Sequence, residues 1–114
     1  MVALTLLIAG VIGYRLASPE IVVTNRSASR VDSVIIQMPS SRISFDTIEP
    51  GTSSAIFYSV DQVDGVCKYA AQLDSGRMIE GQCGYVTNSQ FGKRVELTIL
   101  ITGEVEYQES SKIF

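Results

Sequence analysis

VCKYAAQL (Val66–Leu73), DSG (Asp74–Gly76) and RMIEGQC (Arg77–Cys83) follow one another without interruption. Two β-prone runs flank a short loop that ends in glycine, which is the signature of a hairpin closed by a type I turn and a glycine bulge. That loop pairs Leu73 with Arg77. Counting outward, residue 71 faces 79, 69 faces 81, and Cys67 falls opposite Cys83. One face then carries Cys67, Tyr69, Ala71 and Leu73 beside Ile79, Gly81 and Cys83, and the other carries Lys68 and Gln72 beside Glu80 and Gln82. Directly opposed residues on antiparallel strands have Cα atoms about 4.5 to 5.5 Å apart, within disulfide reach. The alternative is a pair of reduced, buried, inert thiols. The even count and the register favour the bond, which would contribute roughly 3 kcal/mol by closing its loop and would imply an oxidising compartment. A one-residue slip would put the sulfurs on opposite faces.

Outward from this hairpin, the chain beyond Glu20 is dense in Val, Ile, Tyr, Phe, Thr and Ser. Turn residues interrupt it at the spacing of about eight to twelve expected of a sandwich or barrel. The expected strands cover residues 21–25, 31–38, 42–46, 54–60, 66–73, 77–83 and 94–102, the last continuing toward Tyr107. Val95, Leu97, Ile99 and Ile101 alternate with Glu96, Thr98 and Leu100, which predicts a central strand with one core face. Glu49-Pro50-Gly51-Thr52 reads as a type II turn. No apolar repeat of helical period persists beyond residue 20, so the expected class is all-β: an immunoglobulin-like β-sandwich of about seven strands.

The first residues differ. Met1 to Tyr14 (MVALTLLIAGVIGY) hold no charge, and Arg15 and the helix-stopping Ser18-Pro19 follow. With Leu16 and Ala17 included and Arg15 snorkelling, the run reaches the lower limit of about seventeen residues for a span. Three readings compete: a retained anchor, a cleavable signal and a buried element of the domain. No basic residue precedes the apolar run, and Pro19 would directly follow a cut after Ser18, which favours an anchor over a signal, although Val11-Ile12-Gly13 offers another cut. The division is an anchor over 1–18, a short transmembrane helix, and a sandwich over 19–114. Ala9 and Gly13 form a small-xxx-small pair suited to close helix packing, a spacing also common in such helices without a partner. Arg15 reads as cytoplasmic if Met1 is the true start, whereas the cysteines place the domain outside.

Composition excludes several chemistries. Nine Lys and Arg against twelve Asp and Glu give a net charge of −3, which disfavours nucleic-acid binding. There is no His and no Trp, which removes the commonest general base and the core tryptophan of antibody domains. No phosphate-binding or dinucleotide motif occurs, and two thiolates alone make half a zinc site. The expectation is no enzyme, no cofactor, no metal and no small-molecule substrate. Asp61-Gln62-Val63-Asp64-Gly65 imitates part of a calcium loop but reads better as an acidic turn. Asn25-Arg26-Ser27 spells a glycosylation sequon. Tyr85, Asn88 and Phe91 sit in an expected loop of residues 84–93, a candidate binding loop or an ordinary connection whose aromatics cover the core edge.

IVVTNRSASRVDSVIIQM (residues 21–38), IEPGTS (48–53), GYV (84–86) and VELTILITGEVE (95–106) together resemble small bacterial membrane-anchored envelope proteins. In these an apolar anchor or lipoprotein signal precedes an immunoglobulin-like β domain of unassigned function. No Cys follows the apolar segment here, unlike the lipoprotein form. The resemblance implies no catalytic residues and a domain in the periplasm, held at the bacterial inner membrane. The expected role is a non-catalytic accessory or structural subunit docking on partner proteins of a membrane complex. The rival is a free-standing envelope module that binds a peptide or glycan, and a pilin-like filament subunit ranks below both because Pro19 ends the helix early.

Overall fold

The computed structural model describes residues 18–59, 61–88 and 92–111. Among the described residues eight strands form: β1 (Glu20–Asn25), β2 (Val31–Gln37), β3 (Arg42–Phe45), β4 (Ser53–Phe57), β5 (Gly65–Leu73), β6 (Met78–Val86), β7 (Lys93–Ile99) and β8 (Val105–Ser111). They make two four-stranded sheets, ordered β4-β1-β7-β8 and β3-β2-β5-β6. The all-β sandwich is therefore as expected, with one strand more than the seven anticipated. Among the described residues no helix is long and apolar enough to cross a membrane. The expected anchor, with Ala9 and Gly13, lies outside the described residues apart from Ser18.

β1 is interior to its sheet, antiparallel to β4 (Ile21 opposite Ile56) and parallel to β7 (Ile21 opposite Val95). A parallel neighbour cannot be reached by a tight turn, so the whole of β2 to β6 forms the crossover between β1 and β7. The core is the space between the sheets. Ile21, Val23, Val95, Leu97 and Ile99 enter it from one side, and Val34, Ile36, Phe45, Cys67, Ala71, Cys83 and Val86 from the other, each no more than 3% exposed.

The eighth strand corrects the expectation for the C-terminal run. The alternation of Val95, Leu97 and Ile99 holds, but it stops there, and Ile101 is 80% exposed instead of facing the core. The reason is a turn. Leu100 N donates to Glu104 O and Gly103 N to Leu100 O, both at 2.9 Å. The same two bonds close the other hairpin, from Leu73 N to Arg77 O and from Gly76 N to Leu73 O. Ile101-Thr102-Gly103 is thus a second copy of the Asp74-Ser75-Gly76 loop. Gly103 has φ +86°, and a Cβ there would lie 2.6 Å from Nη1 of Arg77, so the guanidinium lies over this glycine and joins the two turns. Glu49–Thr52 forms the expected turn, with Thr52 N donating to Glu49 O at 3.1 Å.

Asn25, fully buried at the end of β1, holds three segments together. Its Nδ2 donates to Ser29 O (2.8 Å) and Ile48 O (2.9 Å), and its Oδ1 accepts from Ser27 N (2.9 Å) and Ser27 Oγ (2.6 Å). Both amide hydrogens are used, so the sequon spelled by Asn25-Arg26-Ser27 offers no accessible acceptor in the folded chain. Replacing Asn25 by Ala strands buried partners at about 1 to 3 kcal/mol each before relaxation. Urea unfolding of the Asn25→Ala variant should show a loss on the order of 2 to 4 kcal/mol with an unchanged m-value.

Candidate functional site

The hairpin β5–β6 keeps the register read from its loop: Ala71 pairs with Ile79 and Tyr69 with Gly81. Cys67 and Cys83, each 1% exposed, form a disulfide with their Cα atoms 4.9 Å apart. The half-buried Tyr69 lies over Gly81, where a Cβ would collide with its ring. Beyond the cysteines the pairing shifts by one, so that Val66 faces Tyr85 and Gly65 faces Val86. The extra residue is accommodated at Cys83-Gly84, and Gly84 takes φ +95°, a conformation that a side chain would strain. A Cβ there would also collide with the Tyr107 hydroxyl. Without this bulge Tyr85 would follow residues 79, 81 and 83 into the core. With it Val86 is buried (3% exposed) and Tyr85 turns outward (54% exposed).

The loop expected over residues 84–93 starts later than the sequence implied. Tyr85 belongs to β6, which runs to Val86, and not to a loop starting at residue 84. Asn88 is exposed on the turn that follows, and Phe91 lies outside the described residues. Tyr85 instead stands on the outer face of the β3-β2-β5-β6 sheet, opposite the half-exposed Val66.

That outer face holds an open groove of about 420 Å³. Two cross-strand rows build it: Ile35, Ala70 and Glu80, and beside them Gln37, Lys68 and Gln82. Its floor is apolar at Ile35 and Ala70, and its walls carry one ammonium, one carboxylate and two amides. Such a surface can bury modest apolar area while exchanging hydrogen bonds with a peptide-like or glycan-like partner. The set has no nucleophile with an adjacent base. Among the described residues no group of three or more acidic or sulfur ligands gathers. The imitation calcium loop is held otherwise: Gln62 is buried, accepts from Ser40 N (3.0 Å) and donates to Ser41 Oγ and Ser59 O (3.1 Å each). These bonds tie the β4–β5 connection to the β2–β3 turn.

No protein-family model matches the chain, and no curated protein matches it. Among solved structures, the NMR structure of a protein from Eubacterium rectale is similar, with a TM-score of 0.57 and 12% identity, over 83% of this chain and 90% of that one. At that identity the likeness concerns the fold alone.

A second polar cluster lies where β6 and β8 approach each other. Lys93 Nζ is 2.9 Å from Glu109 Oε1 and donates to Tyr85 O at 3.1 Å, while the Tyr107 hydroxyl donates to the same Glu109 oxygen. Burial pushes the Glu109 carboxyl up, but hydrogen bonds from Tyr107 and Lys93 and the Lys93 charge outweigh it and leave the carboxyl below its ordinary range. Tyr58 is buried, and its hydroxyl makes no hydrogen bond among the described residues. Burial, then the Glu109 charge, pushes the Tyr58 phenol up to about 12. Tyr107 is raised too, by burial first and then by its bond to Glu109 and the neighbouring charges. The sequence pattern alone hides this cluster because Val105 to Ser111 does not stand out as a separate strand, although Val105, Tyr107 and Glu109 alternate as its inward set.

Two outcomes follow from this geometry. Replacing Cys67 and Cys83 together by Ala should cost on the order of 2 to 4 kcal/mol in urea unfolding without reductant, and the native thiols should resist alkylation until the protein is unfolded and reduced. Because burial holds the folded Tyr58 phenol protonated above the unfolded value near 10, its contribution is complete below about pH 10 and is lost as pH rises through about 12, and the raised Tyr107 phenol adds to the decline in the same direction. The Tyr58→Phe variant, which also removes an unpaired buried hydroxyl, should equal the parent in stability at neutral pH or exceed it, and should decline less in the alkaline range.

Proposed function

We propose that this chain is a non-catalytic, membrane-tethered subunit whose extracytoplasmic sandwich docks on partner proteins of a membrane complex. The observation that carries the reading is the open groove on the outer face of the β3-β2-β5-β6 sheet, with its apolar floor and mixed polar walls. The disulfide supports an oxidising compartment, and the uncharged run of residues 1–14 supports an anchor. In the same reading the sandwich is immunoglobulin-like in the broad architectural sense and the N-terminal run is a short transmembrane helix. The resemblance to small anchored envelope proteins supports a bacterial inner membrane as the site of the anchor, with the domain in the periplasm.

A free-standing module that binds a peptide or glycan is the rival, favoured by the amides of Gln37 and Gln82 flanking the groove. The two readings separate in one experiment. Released gently from native membranes, the chain should co-purify with partners in fixed stoichiometry. The Ala70→Arg variant, which fills the groove floor at a solvent-facing strand position, should lose them while its unfolding free energy stays within about 0.5 kcal/mol of the parent. A monodisperse parent chain without partners would count for the free-standing module.

A further inference from the structure

The described chain begins at one defined end of the sandwich. Pro19 is fully buried and its carbonyl accepts from Tyr58 N at 3.0 Å, so the start of β1 is fixed in the fold with no slack. Register shows what shares this end. Glu20 pairs with Phe57 at the end of β4 and with Arg94 near the start of β7, and Lys93 pairs with Ser111 at the end of β8. The other sheet brings the start of β5 and the end of β6 here, since Tyr85 O accepts from Lys93 Nζ, and Gln62 and Val63 bond to the 38–41 turn. The hairpin turns at Asp74–Gly76 and Ile101–Gly103 mark the opposite end.

The exposed apolar residues of the near end are Val63 (64% exposed), Val66 (40%), Tyr85 (54%) and, on the other sheet, Phe57 (41%). Val66 and Tyr85 are direct cross-strand partners and so form one continuous apolar step. Ala17, the last residue of the apolar run, and Pro19 are separated by a reach of no more than about 7 Å even when extended. The headgroup region adds only about 5 to 7 Å on each side of a hydrocarbon core of about 30 Å. An apolar segment held in the core would therefore leave this end at the headgroup layer, where tyrosine is enriched because its ring is apolar and its tip wet.

We infer that the β1-entry end of the sandwich rests on the lipid surface, with Tyr85, Val66 and Val63 entering the interfacial layer and the Ile101 end pointing away. The inference rests on the reading of residues 1–18 as an anchor. It also gives the bulge at Gly84 a purpose, because the bulge turns Tyr85 out of the core and toward the lipid. Exposed Asp61 and Asp64 flank Val63, so a zwitterionic surface, which does not repel them, is the one that the contact is proposed to meet.

The chain contains no Trp, so a single introduced Trp reports alone. The full chain carrying Tyr85→Trp, reconstituted in phosphatidylcholine vesicles with brominated acyl chains, should show blue-shifted emission and quenching several-fold stronger than a Met78→Trp chain, whose reporter sits near the far end of the same strand. A Val63→Trp chain should behave like the Tyr85→Trp chain, which guards against a local defect at residue 85. Equal quenching at 85 and 78 in a chain that floats with the vesicles would overturn the inference and leave the anchor standing. A chain that does not float would overturn the anchor, and the inference with it. Shielding of residue 85 from aqueous iodide without bromolipid quenching would mean a protein covers this end, and would also overturn it.

Discussion

The register of β5 against β6 governs most of what is distinctive in this molecule. A three-residue loop ending in Gly76 sets it, and every feature of that sheet follows by counting. It brings the cysteines into line on the core face and lays Tyr69 over Gly81. The single extra residue at Cys83-Gly84 then resets the count, so the last part of β6 presents the opposite parity. One inserted residue thus converts an aromatic that alternation assigns to the core into a surface residue. Its valine neighbour fills the core instead.

The core is largely legible in the sequence because both sheets bury one face, and alternation marks that face directly. Ile21, Val23, Val34, Ile36, Val95, Leu97 and Ile99 all sit where their parity puts them. The hairpin is legible for a stronger reason, since its loop chemistry fixes a phase as well as a period. What alternation cannot show is where a phase breaks. Leu100 and Ile101 look like more strand, and only the left-handed Gly103 converts them into a turn and frees β8 to form an edge. The order of the strands is not legible either. The β1–β7 parallel pair joins residues far apart in the chain, and nothing local in either segment encodes it.

The candidate site is less legible than the core. The groove is composed of residues that the alternation argument discards as the solvent face, such as Ile35, Gln37 and Ala70. Their significance comes from which strands lie side by side. The cluster of Lys93, Tyr107 and Glu109 depends in the same way on β8 folding back on β7. Tyr85 reads from sequence as an exposed aromatic but in the wrong kind of element, because the bulge that exposes it is a backbone event at a glycine.

The interior position of β1 also sets an order of assembly. A chain emerging from its N-terminus delivers β1 first, yet Ile21 must wait for Ile56 and then for Val95 before both its edges are paired. β5 and β6 precede β7 in the chain, and their hairpin needs only its own loop to close. Long-range pairing of this kind is slow compared with local hairpins. Until β7 arrives, the first strand keeps one open hydrogen-bonding edge, and the last hairpin of the chain is the one that pairs it.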